Sequence, residues 1–274
     1  NLQIAGENEL RTGGIRVPDS SVLTVVGDGN LTINLNSGKY FGIGNSLDEY
    51  HGELNFYQDG GIIINANGMK GIGIGSGLGG FINIKRGHYE FDMKGQEGAC
   101  IGSVNGDSEL LIEYCDMDIY SGISNGTIIG SVNGDADIKL ENISAKLQGA
   151  GNIITGIGTI AGNSCMVRLE NVNISSNIRA KECYGIGCRA GRTDIYIGYA
   201  AVKSVVQGKA AVAFGNSVMS AKLYCSNADI GTNAVTEFNS DIGALEKNIQ
   251  LENGRAEFIL NGQEIKRQIL AARL

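Results

Sequence analysis

Apolar and polar positions along this chain follow two superimposed rhythms. The longer one is set by an isoleucine followed by glycine, at Ile43-Gly44, Ile72-Gly73, Ile101-Gly102, Ile129-Gly130, Ile157-Gly158, Ile186-Gly187 and Ile242-Gly243, with Phe214-Gly215 filling the remaining place. Successive glycines lie 29, 29, 28, 28, 29, 28 and 28 residues apart. A fixed period of about 20 to 50 residues marks a solenoid or an array, in which each repeat packs only on its neighbours.

The shorter rhythm has a period of two. Leu110 and Ile112 stand nine and eleven residues after Ile101, as Ile138 and Leu140 do after Ile129 and Ile195 and Ile197 after Ile186. An apolar pair around a variable residue is a strand with one buried face. A second strand follows a short corner, as in Met117-Asp118-Ile119, Val172-Asn173-Ile174 and Phe258-Ile259-Leu260, and a third ends at the Ile-Gly itself. Three short strands and three corners per repeat predict an all-β fold, a parallel β-helix of about eight to nine coils whose core rod is about 40 Å long at the usual strand spacing. Right-handed winding is the default for parallel crossovers. Helices are a poor alternative, because Gly, Asn and β-branched residues are too frequent and the 3.6-residue apolar period is missing. A leucine-rich repeat would need its leucine and asparagine ladder at shorter spacing.

Glycine after each isoleucine fits a narrow corner that demands positive φ or close approach of neighbouring backbones. The column of these isoleucines is expected to fill one edge of the core. One domain is expected over residues 1–274, with a capping coil at 1–41, repeats over 42–261 and a cap at 262–274. In the first cap, Gly14-Ile15-Arg16-Val17-Pro18 lies one period before Ile43, and Pro18 suits an unpaired edge. In the last, Ile265, Ile269 and either Leu270 or Leu274 share a helical face, predicting a short closing helix; a charged edge strand is the competing expectation.

Composition narrows the class. There are 42 glycines without a Gly-X-Y period and a single proline, which excludes collagen and proline-rich disorder. The net charge of −7 argues against nucleic acid, anionic membranes and acidic partners. No apolar run is long enough to span a membrane, and the start at Asn1, without a leader, reads as a processed or trimmed piece of a longer chain. The six cysteines, Cys100, Cys115, Cys165, Cys183, Cys188 and Cys225, never share an offset in neighbouring repeats. They read as small core fillers, and only the pair Cys183 and Cys188, flanking Gly185-Ile186-Gly187, invites a check for a bridge. No metal-ligand spacing of cysteine or histidine occurs, and the two histidines, His51 and His88, read as ordinary surface or core residues. Gly71-Ile72-Gly73-Ile74-Gly75-Ser76-Gly77 is not a phosphate loop, since neither Lys-Ser/Thr nor a helix follows.

These repeats resemble the glycine-rich repeat regions of bacterial, chiefly Gram-positive, cell-surface proteins, in which Gly-Ile-Gly corners precede alternating Leu/Ile/Val strands. The opening Leu10–Pro18 and Leu23–Ile33 is similar to the coil that precedes such regions. The resemblance covers nearly the whole chain and implies an exported or wall-associated protein of pectate-lyase-like β-helix shape, with further domains of a larger surface protein beside it. It carries no catalytic residues across.

Three constellations could carry chemistry. Asn105-Gly106-Asp107 and Asn133-Gly134-Asp135 occupy the same offset in adjacent repeats, so Asp107 and Asp135 could share a calcium ion. Turn chemistry alone explains the same residues, and calcium needs several more ligands. Tyr196 and Tyr224 share an outward offset, and with Tyr199 could offer a flat aromatic face to a polysaccharide or cell-wall glycan; a cross-strand pair that merely stabilises the sheet is the simpler account. Asp116 and Asp118, with Glu90 and Asp92 on the adjacent rung, could form an acidic cluster for polysaccharide hydrolysis, and Lys85, Arg86 or Lys94 could serve a lyase. Solvated surface charge accounts for all of them. The reading that results is a non-catalytic binding or adhesion module for carbohydrate, against a polysaccharide-degrading enzyme and a structural spacer.

Overall fold

The computed structural model describes residues 1–217, 219–237 and 249–270, with side chains as far as Gln263. Seventeen strands and no helix occur among the described residues. Nearly all strand pairings are parallel and join residues about one repeat apart, which makes the chain a parallel β-solenoid.

Each full turn contains three registered runs. The first side includes Asp107–Glu113, stacked on Ala136–Glu141. The second begins at residues such as Asp116, Ser144 and Asn173, which lie in one row. The third ends at the Ile-Gly corner. Inward residues alternate with outward ones as the period of two requires, so Leu110, Ile112, Ile138, Leu140, Val167 and Leu169 are all at most 2% exposed. Successive turns bury this face against one continuous apolar core from Ile4 to Phe258.

The isoleucine column exists, with one member replaced. Ile15, Ile43, Ile74, Ile101, Ile129, Ile157, Ile186 and Phe214 are in register, and those from Ile43 onward are wholly buried. Ile74 takes the place expected for Ile72. Gly71-Ile72-Gly73-Ile74-Gly75 offers two Ile-Gly steps, and the true separations on either side of Ile74 are 31 and 27 residues, which the sequence spacing averages into 29 and 29. The ladder absorbs the difference by shifting register between Phe56 and Gly61. Ile72 instead joins Leu47, Val104, Val132 and Ile160 in a separate small apolar cluster. Ile242-Gly243 lies outside the described residues.

The two ends are built differently from the repeats between them. Leu2–Ile4 and Glu7–Leu10 already pair in parallel with residues 25–27 and 30–33, so the first 41 residues hold a complete, shorter rung and part of the next. At the other end Gln263–Leu270 is a strand antiparallel to Ile249–Leu260, not a helix. The cause is Asn261-Gly262, with φ of 49° and 78°, between the paired residues Leu260 and Gln263. Two consecutive positive-φ residues of this kind make the tight turn that matches strand twist in a hairpin. Residues 271–274 lie outside the description.

Candidate functional site

The outward residues of the solenoid form straight rows, because every rung repeats the same pleat. On the first side one row runs Lys139, Arg168, Tyr196, Tyr224, Gln250. Tyr196 and Tyr224 stack with ring centroids 4.9 Å apart and planes 6° from parallel. The centroid distance is about that between strands, so the pair stacks by register alone. Each ring covers one face of the other, leaving the outer face of each and the ring edges. Around them Glu141 pairs with Lys139 at 2.6 Å and Arg168 with Asp137 at 2.6 Å, above a shallow recess that also includes Glu170 and Glu252.

Tyr199 does not extend this pair. It sits at the corner between the first and second sides, in a row the sequence reading overlooked: Tyr114, Asn142, Asn171, Tyr199, Asn227 and Asn253. All six have positive φ, between 47° and 54°. The N–H groups of Tyr114, Asn142, Asn171 and Tyr199 carry the ladder around the corner, as in Asn142 to the Glu170 carbonyl at 3.0 Å and Tyr199 to that of Ser226 at 3.0 Å. Asn171 also donates from its amide to Asn142 Oδ1 at 2.5 Å. Asparagine tolerates this left-handed conformation, whereas a bulky side chain there is an outlier. Asn142, Asn171 and Asn227, each following Glu or Ser and lying 29 and 56 residues apart, one repeat and then two, were the available signal.

Beside the corner the second side is hollowed into a trough. Three adjoining depressions share Asn173 and together run from His88 to Glu257. The floor is low where the outward residues are Ala201 and Gly231, and the walls carry both signs of charge, with Asp116, Asp118 and Asp229 against Lys146, Lys203 and Arg255. Spanning seven rungs, it is about 29 Å long at the usual strand spacing.

The proposed acidic cluster is brought together in part. Glu90 lies directly opposite Asp118, Asp116 opposite His88, and Asp92 opposite Tyr120. Asp118 meets Lys146 at 3.0 Å and Asp92 meets Lys94 at 2.9 Å, while Glu90 lies 3.9 Å from the His88 ring. Lys85 and Arg86 pair with Glu113 and Asp59. Asp116 and Asp118 line the open trough described above.

Asp107 and Asp135 stack as the spacing requires, but their oxygens serve the backbone. Asp107 Oδ1 accepts the Asp135 N–H at 2.8 Å, and Asp135 Oδ1 accepts those of Asn163 and Ser164 at 2.6 and 3.0 Å. Each carboxylate thus caps the corner of the next rung. Among the described residues no group of three or more His, Cys, Asp or Glu is placed to hold a metal ion.

All six cysteines are buried and unbridged, including Cys183 and Cys188. Burial raises the pKa of all six, to about 12 for Cys100, Cys115 and Cys225 and about 11 for Cys183 and Cys188, which disfavours the reactive thiolate form. His51 is buried rather than poised at a surface. The chain matches no protein-family model, and no curated protein or solved structure resembles it at a significant level.

Proposed function

We propose that this chain is a non-catalytic binding and adhesion scaffold that presents its outer rows to carbohydrate at a bacterial cell surface, within a larger protein. The observation that carries the reading is the density of exposed tyrosine on one stretch of the solenoid. Tyr114 and Tyr199 are 61% and 64% exposed on one corner row, and the rungs that bear them and those between present amides and carboxylates at repeated spacing. Aromatic faces beside planar hydrogen-bonding groups suit sugar rings, which have an apolar face and a hydroxyl edge. The surface location rests on the resemblance of the Gly-Ile-Gly corners alone.

Affinity electrophoresis tests this directly. The purified chain is run in gels containing neutral or acidic polysaccharides, with and without calcium, and the gels are then stained for polymer. Retardation is expected with neutral polymers, less with acidic ones because the chain carries a net charge of −7, and no dependence on calcium is expected. Clearing of polymer around the band would replace this reading with the enzyme. Migration unchanged in every gel would leave a structural spacer.

A further inference from the structure

The left-handed corner row contains a contradiction that packing does not resolve. Four of its six positions are asparagine, the residue this conformation favours, but Tyr114 and Tyr199 adopt φ of 53° and 47°. A tyrosine held there is strained, and such strain persists where something other than local backbone preference maintains it. Burial does not maintain it, since both side chains are among the most exposed large apolar residues of the chain, at 61% and 64%. Nor does ring stacking, because the aromatic pairs among the described residues are Phe56 with Tyr89 and Tyr196 with Tyr224.

We propose that this corner, with the trough beside it, is the binding edge for a linear, neutral polysaccharide laid along the solenoid axis, and that Tyr114 and Tyr199 are its two stacking platforms. This rests on the carbohydrate reading and specifies where and what the chain binds. Three rung steps separate the tyrosines, a distance of about 14 Å at the usual strand spacing. The rungs between carry Asn142 and Asn171 on the same edge, and the trough brings Asn173 and Asp229 within the same hollow as Tyr199. A repeated row of amides at constant spacing suits a polymer with a repeated row of hydroxyls. The trough matches neutral sugars, because its carboxylates and its lysine and arginine side chains interleave: Lys146 lies against Asp118, and Arg255 against Glu257. The stacked pair Tyr196–Tyr224 lies on the neighbouring side and, with two ring faces already covered, is not part of this edge.

The test replaces each tyrosine by the residue its sibling rungs carry, which keeps the corner conformation. Tyr114→Asn, Tyr199→Asn and the double variant are compared with Tyr196→Thr as the control, using hydroxyethyl cellulose, glucomannan and galactan as neutral probes and polygalacturonate as the acidic one. Each single corner variant is expected to weaken retention by neutral polymer about tenfold, as loss of one aromatic anchor does, and the double variant to abolish it, while Tyr196→Thr binds as the wild type does. Thermal unfolding provides a readout that needs no ligand: each Tyr→Asn change is expected to raise Tm by about 2 °C as the backbone strain is relieved. A fall in Tm would show that the rings serve the fold, and would overturn the proposal while leaving the carbohydrate reading intact. Unchanged binding by the double variant of a polymer the wild type retains would overturn it in the same way. A wild type that retains no polymer would overturn the carbohydrate reading and this edge with it.

Discussion

His51 is the residue whose chemistry is most at odds with its surroundings. The ring is 4% exposed and lies against Gly80, where even a methyl group would come within 3 Å of it. Nδ1 meets the Gly52 carbonyl at 2.5 Å, which assigns the proton to Nδ1, and Nε2 is buried without a hydrogen-bond partner. A second proton would place a charge and an unanswered N–H in that site, so burial holds the pKa below the ordinary 6.5. The unfolded chain then takes up a proton at a pH where the folded chain does not. Stability from this group is therefore complete well above 6.5, begins to fall as pH drops through that value, and stops falling once pH is below the folded pKa. In urea unfolding, the wild type is expected to lose stability relative to His51→Gln between about pH 7 and pH 5, with no change in the difference above about pH 7.5. A difference that stays flat across that range would mean the site accepts the proton.

Four of the corners that follow the column isoleucines pair a glycine with a buried hydroxyl, at Ser76, Ser103, Ser131 and Thr159. Gly130 has φ of 132°, and a Cβ there would stand 1.9 Å from the Gly158 carbonyl oxygen of the next rung. Ser131 next to it is wholly buried, donates to the Gly106 carbonyl at 2.7 Å and accepts the Gly134 N–H at 2.8 Å, which closes the Val132–Asp135 turn. Gly130→Ala combines a forbidden backbone region with a backbone clash that no rotamer relieves, and is expected to destabilise the chain by about 3 kcal/mol or more in denaturant unfolding. A loss under about 1 kcal/mol would show that adjacent rungs can separate locally at little cost. These corners and the alternating strands were legible in the sequence, since Leu110/Ile112 and Ile138/Leu140 differ only by translation along the stack. What misled was local degeneracy. Ile72 and Ile74 both precede glycine, and only the length of the intervening loop decides which one enters the column. Ile265 and Ile269 fit a helical face, but Asn261-Gly262 had already turned the chain back along its own strand. At the candidate site, Tyr196 and Tyr224 were legible because they share a strand offset, while Tyr199 was misplaced because it takes the left-handed corner conformation itself, where the pleat ends.

At the scale of the molecule, the registered pairings among the described residues join each rung to its neighbours and to nothing further away, apart from the closing hairpin. Stability in such a stack is a sum of rung terms and interface terms, so damage is expected to spread along the axis only as far as the interfaces it breaks. The last described rungs test this, because Leu223 is wholly buried between Ile195 and Ile249 and lies near the hairpin end. Leu223→Ala is expected to cost about 2 to 4 kcal/mol locally by leaving a cavity. In native-state hydrogen exchange, amides of Ala201–Gly208, Ala221–Thr236 and Ile249–Leu260 should lose protection, while those of Asp107–Glu113 and Ala136–Glu141 keep theirs. A uniform loss of protection in all five would mean that the stack unfolds as one cooperative unit. The same locality bears on binding. If the rungs are energetically separable, this variant should free the Asn227 end of the corner while leaving Tyr114, Asn142 and Asn171 in place, so retention by neutral polymer should weaken without vanishing.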